Sequence, residues 1–288
     1  MAQKKNNWQG RTDGTLWMHR TLIFLLRYIP ITVIYAVMDI VIVFYMIFAR
    51  ARTSSTYRYF REIYNQGIWR AIVNTYLLYR QFGQVVIDRF AIYAGQHFDL
   101  EIDGNELVHE AMDNGTSCIM ISSHVGNYEI AGYALKPTRP MYAVMYGGDK
   151  DFVLENRIRE LEQNGIHALV PDEDWSYLFT INKALQDGNM ITIMGDRNLG
   201  SDKVIATEIV GHKANLPSGP FTIASLYKHV IVCSVFVMKE SQRKYHIYVH
   251  PMYGNSKEEF ARDFASQLTT IIRHYPHQWY NFYDFWQS

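Results

Sequence analysis

From Phe98 onward the chain alternates short apolar runs with helical patterns, and this alternation constrains the fold more than any other feature. Strand-like runs lie at Cys118–Ser122, Met141–Tyr146, Met190–Met194, Val204–Val210, Val230–Met238 and Lys244–His250. Helical patterns lie at Glu106–Met112, Asn127–Leu135, Val153–Asn164, Trp175–Gln186, Ser218–Tyr227 and Lys257–His274. A strand covered by helices on both faces reads as a continuous apolar run, without the polar alternation of a half-exposed sheet. The pattern therefore predicts an α/β fold, with a central mixed, mostly parallel sheet flanked by helices. The sheet is expected to be mixed because Glu240-Ser241-Gln242-Arg243 joins the last two runs as a hairpin. There is no internal repeat, low-complexity tract or Pro/Gly/Ser linker, so residues 54–288 read as one domain.

Residues 1–53 read as an appended, membrane-associating helical segment. The longest apolar stretch runs from Leu22 to Phe48, and its cleanest piece is Ile31–Phe48. A spanning helix needs about 20 apolar residues to cross roughly 30 Å of hydrocarbon. This piece is slightly short, and Asp39 near its centre is costly in lipid. Arg50, Ala51 and Arg52 follow where a signal peptide would show a small-residue cleavage site. Basic residues flank both ends: Lys4, Lys5, Arg11 and Arg20 before, Arg50, Arg52, Arg58 and Arg61 after. That symmetry favours a helix or bent hairpin held in the cytoplasmic leaflet, with both basic ends facing anionic lipid. The alternative is a buried core helix. Ile68–Tyr93 is a second amphipathic, aromatic-rich helix able to pack beside it.

The 28 basic and 28 acidic residues balance, so no net field draws the molecule to nucleic acid. The 21 tyrosines suit surfaces that are wet on one side and dry on the other, membranes included. Cys118 and Cys233 each lie inside an apolar run, which predicts buried thiols, no disulfide and a reducing setting.

One stretch carries chemistry: Cys118-Ile-Met-Ile-Ser-Ser-His-Val-Gly-Asn-Tyr-Glu129. A strand is expected to end near Ser122, which places His124 in the turn at its carboxyl end, where open α/β sheets bind ligands. Glu129 falls in the first turn of the next helix. From there its carboxylate can reach back to one imidazole nitrogen, fix the tautomer and support the imidazolium. The other nitrogen then serves as a general base. Gly126 permits close backbone approach to a substrate, and Asn127 is a candidate helix cap or oxyanion donor. The structural alternative is a buried histidine bonded to a helix-capping glutamate.

Asp196 and Arg197 follow the run Met190–Met194 and so lie at the same sheet edge. Arg197 is a candidate two-pronged ligand for phosphate or carboxylate, or else part of a surface ion pair. Ser218-Gly219-Pro220 reads as a helix start with Ser218 as cap; its N–H groups form an anion site, or simply a capped end. His229, His246 and His250 lack metal-ligand spacing, and His274 and His277 lack a nearby carboxylate. There is no Gly-x-Ser-x-Gly elbow, phosphate loop or dinucleotide fingerprint, and Gly147-Gly148 reads as a turn. Neither a metal nor a tightly bound cofactor is expected.

Ser122-Ser-His-Val-Gly-Asn-Tyr-Glu129 resembles the His-x4-Asp/Glu box of the lysophospholipid acyltransferase superfamily, and in particular of its late (secondary) bacterial lipid A branch. Three further stretches extend the resemblance in order: Ile193–Asn198, Leu216–Pro220 and Tyr275–Trp279. The likeness departs at Val170–Trp175, which carries no Arg where that branch has one; Arg157 and Arg159 lie upstream. The resemblance implies an O-acyltransferase at the cytoplasmic face of a bacterial inner membrane. Its donor would be an acyl carrier protein or coenzyme A thioester, and its acceptor a hydroxyl of a membrane lipid such as a lipid A precursor. On this reading His124 and Glu129 are catalytic, and Gly126, Asn127, Asp196, Arg197, Ser218 and Gly219 bind substrate or oxyanion. Two rival readings are an esterase or thioesterase that uses water, and a non-catalytic lipid-binding protein of the same fold.

Overall fold

The computed structural model describes residues 16–48, 50–134, 138–145, 154–155, 158–159, 161–162, 165–171, 176–198, 203–283 and 285–287. The expected turn at Gly147-Gly148, much of the expected helix Val153–Asn164, Arg157 and most of the Val170–Trp175 departure lie outside the described residues. The chain forms two compact units, Met1–Phe98 with Tyr275–Ser288, and Asp99–His274.

The first unit is helical: α1 (Leu16–Tyr28), α2 (Ile31–Phe48), α3 (Arg50–Arg58), a π-helical turn (Tyr59–Ile63) and α4 (Ile68–Tyr93). Pro30 separates α1 from α2, because a proline nitrogen cannot continue the helical ladder. Leu26, Ile31, Tyr35, Ile87, Phe90 and Ala91 form the shared core. Gly83 lets α4 approach α2 closely, since a Cβ there would lie 2.2 Å from the sulfur of Met38. The polar groups of α2 turn toward α4. Arg80 Nε donates to both oxygens of Asp39, at 3.0 and 3.1 Å, and Tyr35 donates to buried Asp88. A carboxylate that would be costly alone in an apolar helix is thus paired. Much of the rest of α2 is exposed, including Val37, Ile40, Val41, Phe44 and Phe48. This helix is long and apolar enough to cross a membrane, and only 17% of it is buried. A buried core helix would not leave that face open; membrane association fits it.

The carboxyl-terminal segment belongs to the same unit. His277 Nε2 lies 2.9 Å from Asn74 Oδ1, and Asn74 Nδ2 donates to Gln66 Oε1 at 2.6 Å.

The second unit carries the expected sheet. Its seven strands are β1 (Asp99–Asp103), β2 (Cys118–Gly126), β3 (Met141–Val144), β4 (Ile166–Leu169), β5 (Met190–Met194), β8 (Ile231–Lys239) and β9 (Lys244–Pro251), in the order β1-β9-β8-β2-β5-β3-β4. All pairs are parallel except β8–β9, the hairpin closed by Glu240–Arg243. Helices α5 (Asn105–Asn114), α6 (Tyr128–Ala134), α7 (Ser176–Gln186), α8 (Ser218–Leu226) and α9 (Lys257–His274) accompany it. Central β2 is buried along Cys118, Ile119, Met120 and Ile121, as its continuous apolar run predicts. Cys118 and Cys233 are buried and free, with their sulfurs 3.8 Å apart. The hydrogen bond from Cys118 and burial both push the Cys233 thiol up, so it stays protonated and inert.

β6 (Val204–Ile209) and β7 (His212–Pro217) form a separate antiparallel hairpin. Its turn puts Val210 at φ +56° and Gly211 at φ +84°. Left-handed backbone is strained for a β-branched residue. Val210→Asn is therefore expected to stabilise the protein by about 1 kcal/mol. Thermal unfolding checks this; a lowered midpoint contradicts it.

Candidate active site

The position of His124 comes from an irregularity in β2. Ser122 pairs with Val235 of β8, and the next pair is Gly126 with Val237. Four residue steps on β2 thus face two on β8. Such a bulge re-aims side chains out of the ladder. The strand runs on to Gly126, so His124 lies in this bulge and not in a turn after Ser122 as the sequence pattern predicts. Two features hold the continuation. The Asn127 N–H donates to the Val237 carbonyl at 2.8 Å. Gly126 adopts φ +51°, and a Cβ there would lie 1.8 Å from the same carbonyl.

On the other side of β2, the Gly195 N–H donates to the Ser122 carbonyl at 2.8 Å. This extends the β2–β5 pairing by one step and delivers Asp196 to the bulge. Asp196 Oδ1 lies 2.8 Å from His124 Nδ1, and Asp196 Oδ2 accepts the His124 backbone N–H at 3.0 Å. The acid is fully buried, while the imidazole side chain keeps 20% of its surface exposed. Burial alone would raise the pKa of Asp196. The facing His124, its N–H and the charge of Arg197 outweigh that, and the net direction is downward. Both carboxylate oxygens thus serve His124, which is a place unlike the substrate-contacting one expected for Asp196. The Tyr128 and His124 rings meet edge to face, with ring centres 5.3 Å apart.

A carboxyl held below its ordinary pKa stabilises the fold above the unfolded value and loses that contribution as pH falls through the folded one. The window lies below about pH 4. Thermal midpoints measured down through that range are expected to fall more steeply for the native chain than for Asp196→Asn. Parallel curves contradict this.

The other expected residues are placed as follows. Glu129 is half-buried in the first turn of α6. Asn127 is buried, and its Nδ2 lies 3.3 Å from the Tyr245 hydroxyl, so its side chain is engaged within the sheet unit. Arg197 directly follows Asp196 and is half-buried. Ser218 is the first residue of α8 and not its cap. Pro217 caps in extended backbone, without a side-chain bond. The Ser218 N–H donates to the Lys203 carbonyl at 3.0 Å, which removes one of the amides expected to bind an anion. Gly219 borders open space. Glu101, Asp103 and His246 form a second polar cluster on the β1–β9 edge, where Lys244 already supplies a cation 2.5 Å from Glu101.

The family model for bacterial lipid A biosynthesis acyltransferases matches residues 78–288. The chain belongs to that family. No curated protein matches it. The matched span takes in the whole sheet unit, with His124 and Asp196, and the terminal Tyr275–Trp279 segment. The chain is accordingly an acyltransferase acting on lipid.

In this acyltransferase Gly126 joins β2 to β8 at the point where the strand bulges. Gly126→Ala would force a side chain into the Val237 carbonyl and into left-handed backbone at once. A loss of at least about 2 kcal/mol is expected. Thermal unfolding of the variant measures it, and an unchanged midpoint contradicts it. Sequence reasoning missed Tyr245, whose hydroxyl meets Asn127, and Lys239, whose ammonium lies 5.0 Å above the Tyr245 ring. Both sit in strands whose apolar neighbours gave no sign of a polar partner.

Proposed function

We propose that the protein transfers a fatty acyl group from a thioester to a hydroxyl of a membrane lipid, with His124 as general base and Asp196 as its orienting carboxylate. The observation that carries this reading is the 2.8 Å bond between His124 Nδ1 and a fully buried acid. With Nδ1 committed, the chemistry falls to Nε2. That nitrogen takes the proton of the acceptor hydroxyl as its oxygen attacks the thioester carbonyl. The tetrahedral intermediate collapses, the carbon–sulfur bond breaks, and the thiolate leaves with the proton returned from the imidazolium. The products are an ester and a free thiol.

Direct transfer is favoured over an acyl-enzyme. Ser122 donates to the Val235 carbonyl, Ser123 is sealed from solvent, and both cysteines are buried. A nucleophile would need reach to the substrate. Glu129 is kept as a second carboxylate that favours the imidazolium from α6, and Arg197 as a contact for an anionic part of the substrate. The donor is an acyl carrier protein or coenzyme A thioester. The acceptor is a lipid such as a lipid A precursor, met at the cytoplasmic face of the inner membrane, where the exposed face of α2 contacts lipid.

The test is a transfer assay with the purified chain, an acyl thioester and a hydroxyl-bearing lipid. Acyl-lipid formed in step with released thiol supports the reading. Free fatty acid released at the same rate with and without the acceptor would assign a thioesterase instead.

A further inference from the structure

The helical unit contains a pocket remote in sequence from His124. It is a half-open pocket with a cavity volume of about 40 Å³, bordered by Ser55, Arg58, Tyr59, Glu62, Asn281 and Trp286 among others. The π-helical turn Tyr59–Ile63 contributes to its wall, and such turns recur at functional sites. Tyr59 and Trp286 stack with ring centres 5.7 Å apart and planes 11° apart, which gives a flat aromatic side. The decisive residue is Asn281. It is only 8% exposed, it borders the pocket, and neither its Nδ2 nor its Oδ1 has a hydrogen-bond partner among the described residues. Ser55 Oγ is in the same condition.

Buried amides without partners are uncommon and unfavourable, so their persistence calls for a bound group. That group must offer an acceptor to Nδ2 and a donor to Oδ1, side by side. Arg58 and Glu62 add one charge of each sign to the same wall. A zwitterion meets all four demands. Its phosphate accepts from Asn281, Ser55 and Arg58, and its ammonium donates to Asn281 and faces Glu62 and the aromatic side. An N–H donor is required, which excludes a quaternary ammonium.

We propose that this pocket binds phosphoethanolamine as a lipid head group, independently of the acyl-transfer site. Isothermal titration of the purified full chain tests it with three probes: glycerophosphoethanolamine, short-chain dihexanoyl-phosphatidylethanolamine, and glycerophosphocholine. Both ethanolamine probes are expected to bind. Tighter binding of the dihexanoyl lipid assigns the membrane lipid as the source, and equal binding assigns the free head group. Choline is expected to bind at least about tenfold more weakly for want of the N–H. Asn281→Leu is expected to abolish binding while leaving the unliganded thermal midpoint unchanged or higher, because it replaces two orphan polar atoms with apolar ones. Absence of ethanolamine binding, equal binding of choline, or undiminished binding by Asn281→Leu overturns the proposal. So does a lowered midpoint for that variant, which would mark Asn281 as structural. None of these readouts depends on acyl transfer.

Discussion

His124→Ala is expected to lower acyl transfer by about 10²–10⁴-fold, the range typical of removing a positioned general base. The loss should appear in kcat more than in KM, because the imidazole acts on a proton that moves only as the bond forms. Folding should be largely preserved. The ring is part-exposed at the bulge, and the backbone N–H that binds Asp196 remains in the variant. The measurement is steady-state transfer from an acyl thioester to a hydroxyl-bearing lipid, paired with a thermal melt of the same preparation. Retained turnover with an intact fold would remove His124 from the mechanism.

Asp196→Asn is the second large effect expected, about 10³–10⁴-fold in kcat. The substitution keeps shape but removes the charge opposite the imidazolium and allows the wrong tautomer to be held. Residues that act as a unit do not lose additively, so His124→Ala/Asp196→Asn should be no slower than His124→Ala alone. Glu129→Gln is expected to lose roughly tenfold, by removing a second carboxylate that supports the charge of the base. Were Glu129→Gln to fall as far as His124→Ala while Asp196→Asn stayed near native rates, the orienting role would belong to Glu129.

That assignment marks where the sequence stopped being legible. The His-x4-Glu spacing is local, so it can be read along the chain; an acid 72 residues away in sequence cannot be placed beside an imidazole by spacing. Asp196 reaches His124 because β5 pairs with β2, and the choice of β5 as neighbour is a tertiary decision. The bulge was hidden for the same reason. Ser123 to Gly126 lack the apolar run that announced the strand, and only the partner carbonyl at Val237 shows why the strand continues.

Strands β2 and β8 were legible because burial on both faces writes itself as apolar runs, β3 and β5 by their short apolar runs, and β9 because buried Tyr245, Ile247 and Val249 alternate with part-exposed residues. β1 and β4 were not. β1 is the polar, exposed edge Asp99–Asp103, and β4 is a four-residue edge at the far side. β7, reading His212–Pro217, pairs only with β6 among the described residues and needs no apolar run either. The long helices α2, α4 and α9 were visible from periodicity. The partner of Asp39 was not, because Arg80 lies on another helix 41 positions away.

The most direct test of the central claim is lipid mass spectrometry of source cells that lack the gene, compared with the same cells carrying the native chain, His124→Ala or Asp196→Asn. The account predicts that one lipid class loses a single ester-linked acyl chain in the deletion, regains it with the native chain, and regains little with either variant. An unchanged lipid profile in the deletion, or full recovery with His124→Ala, would contradict it.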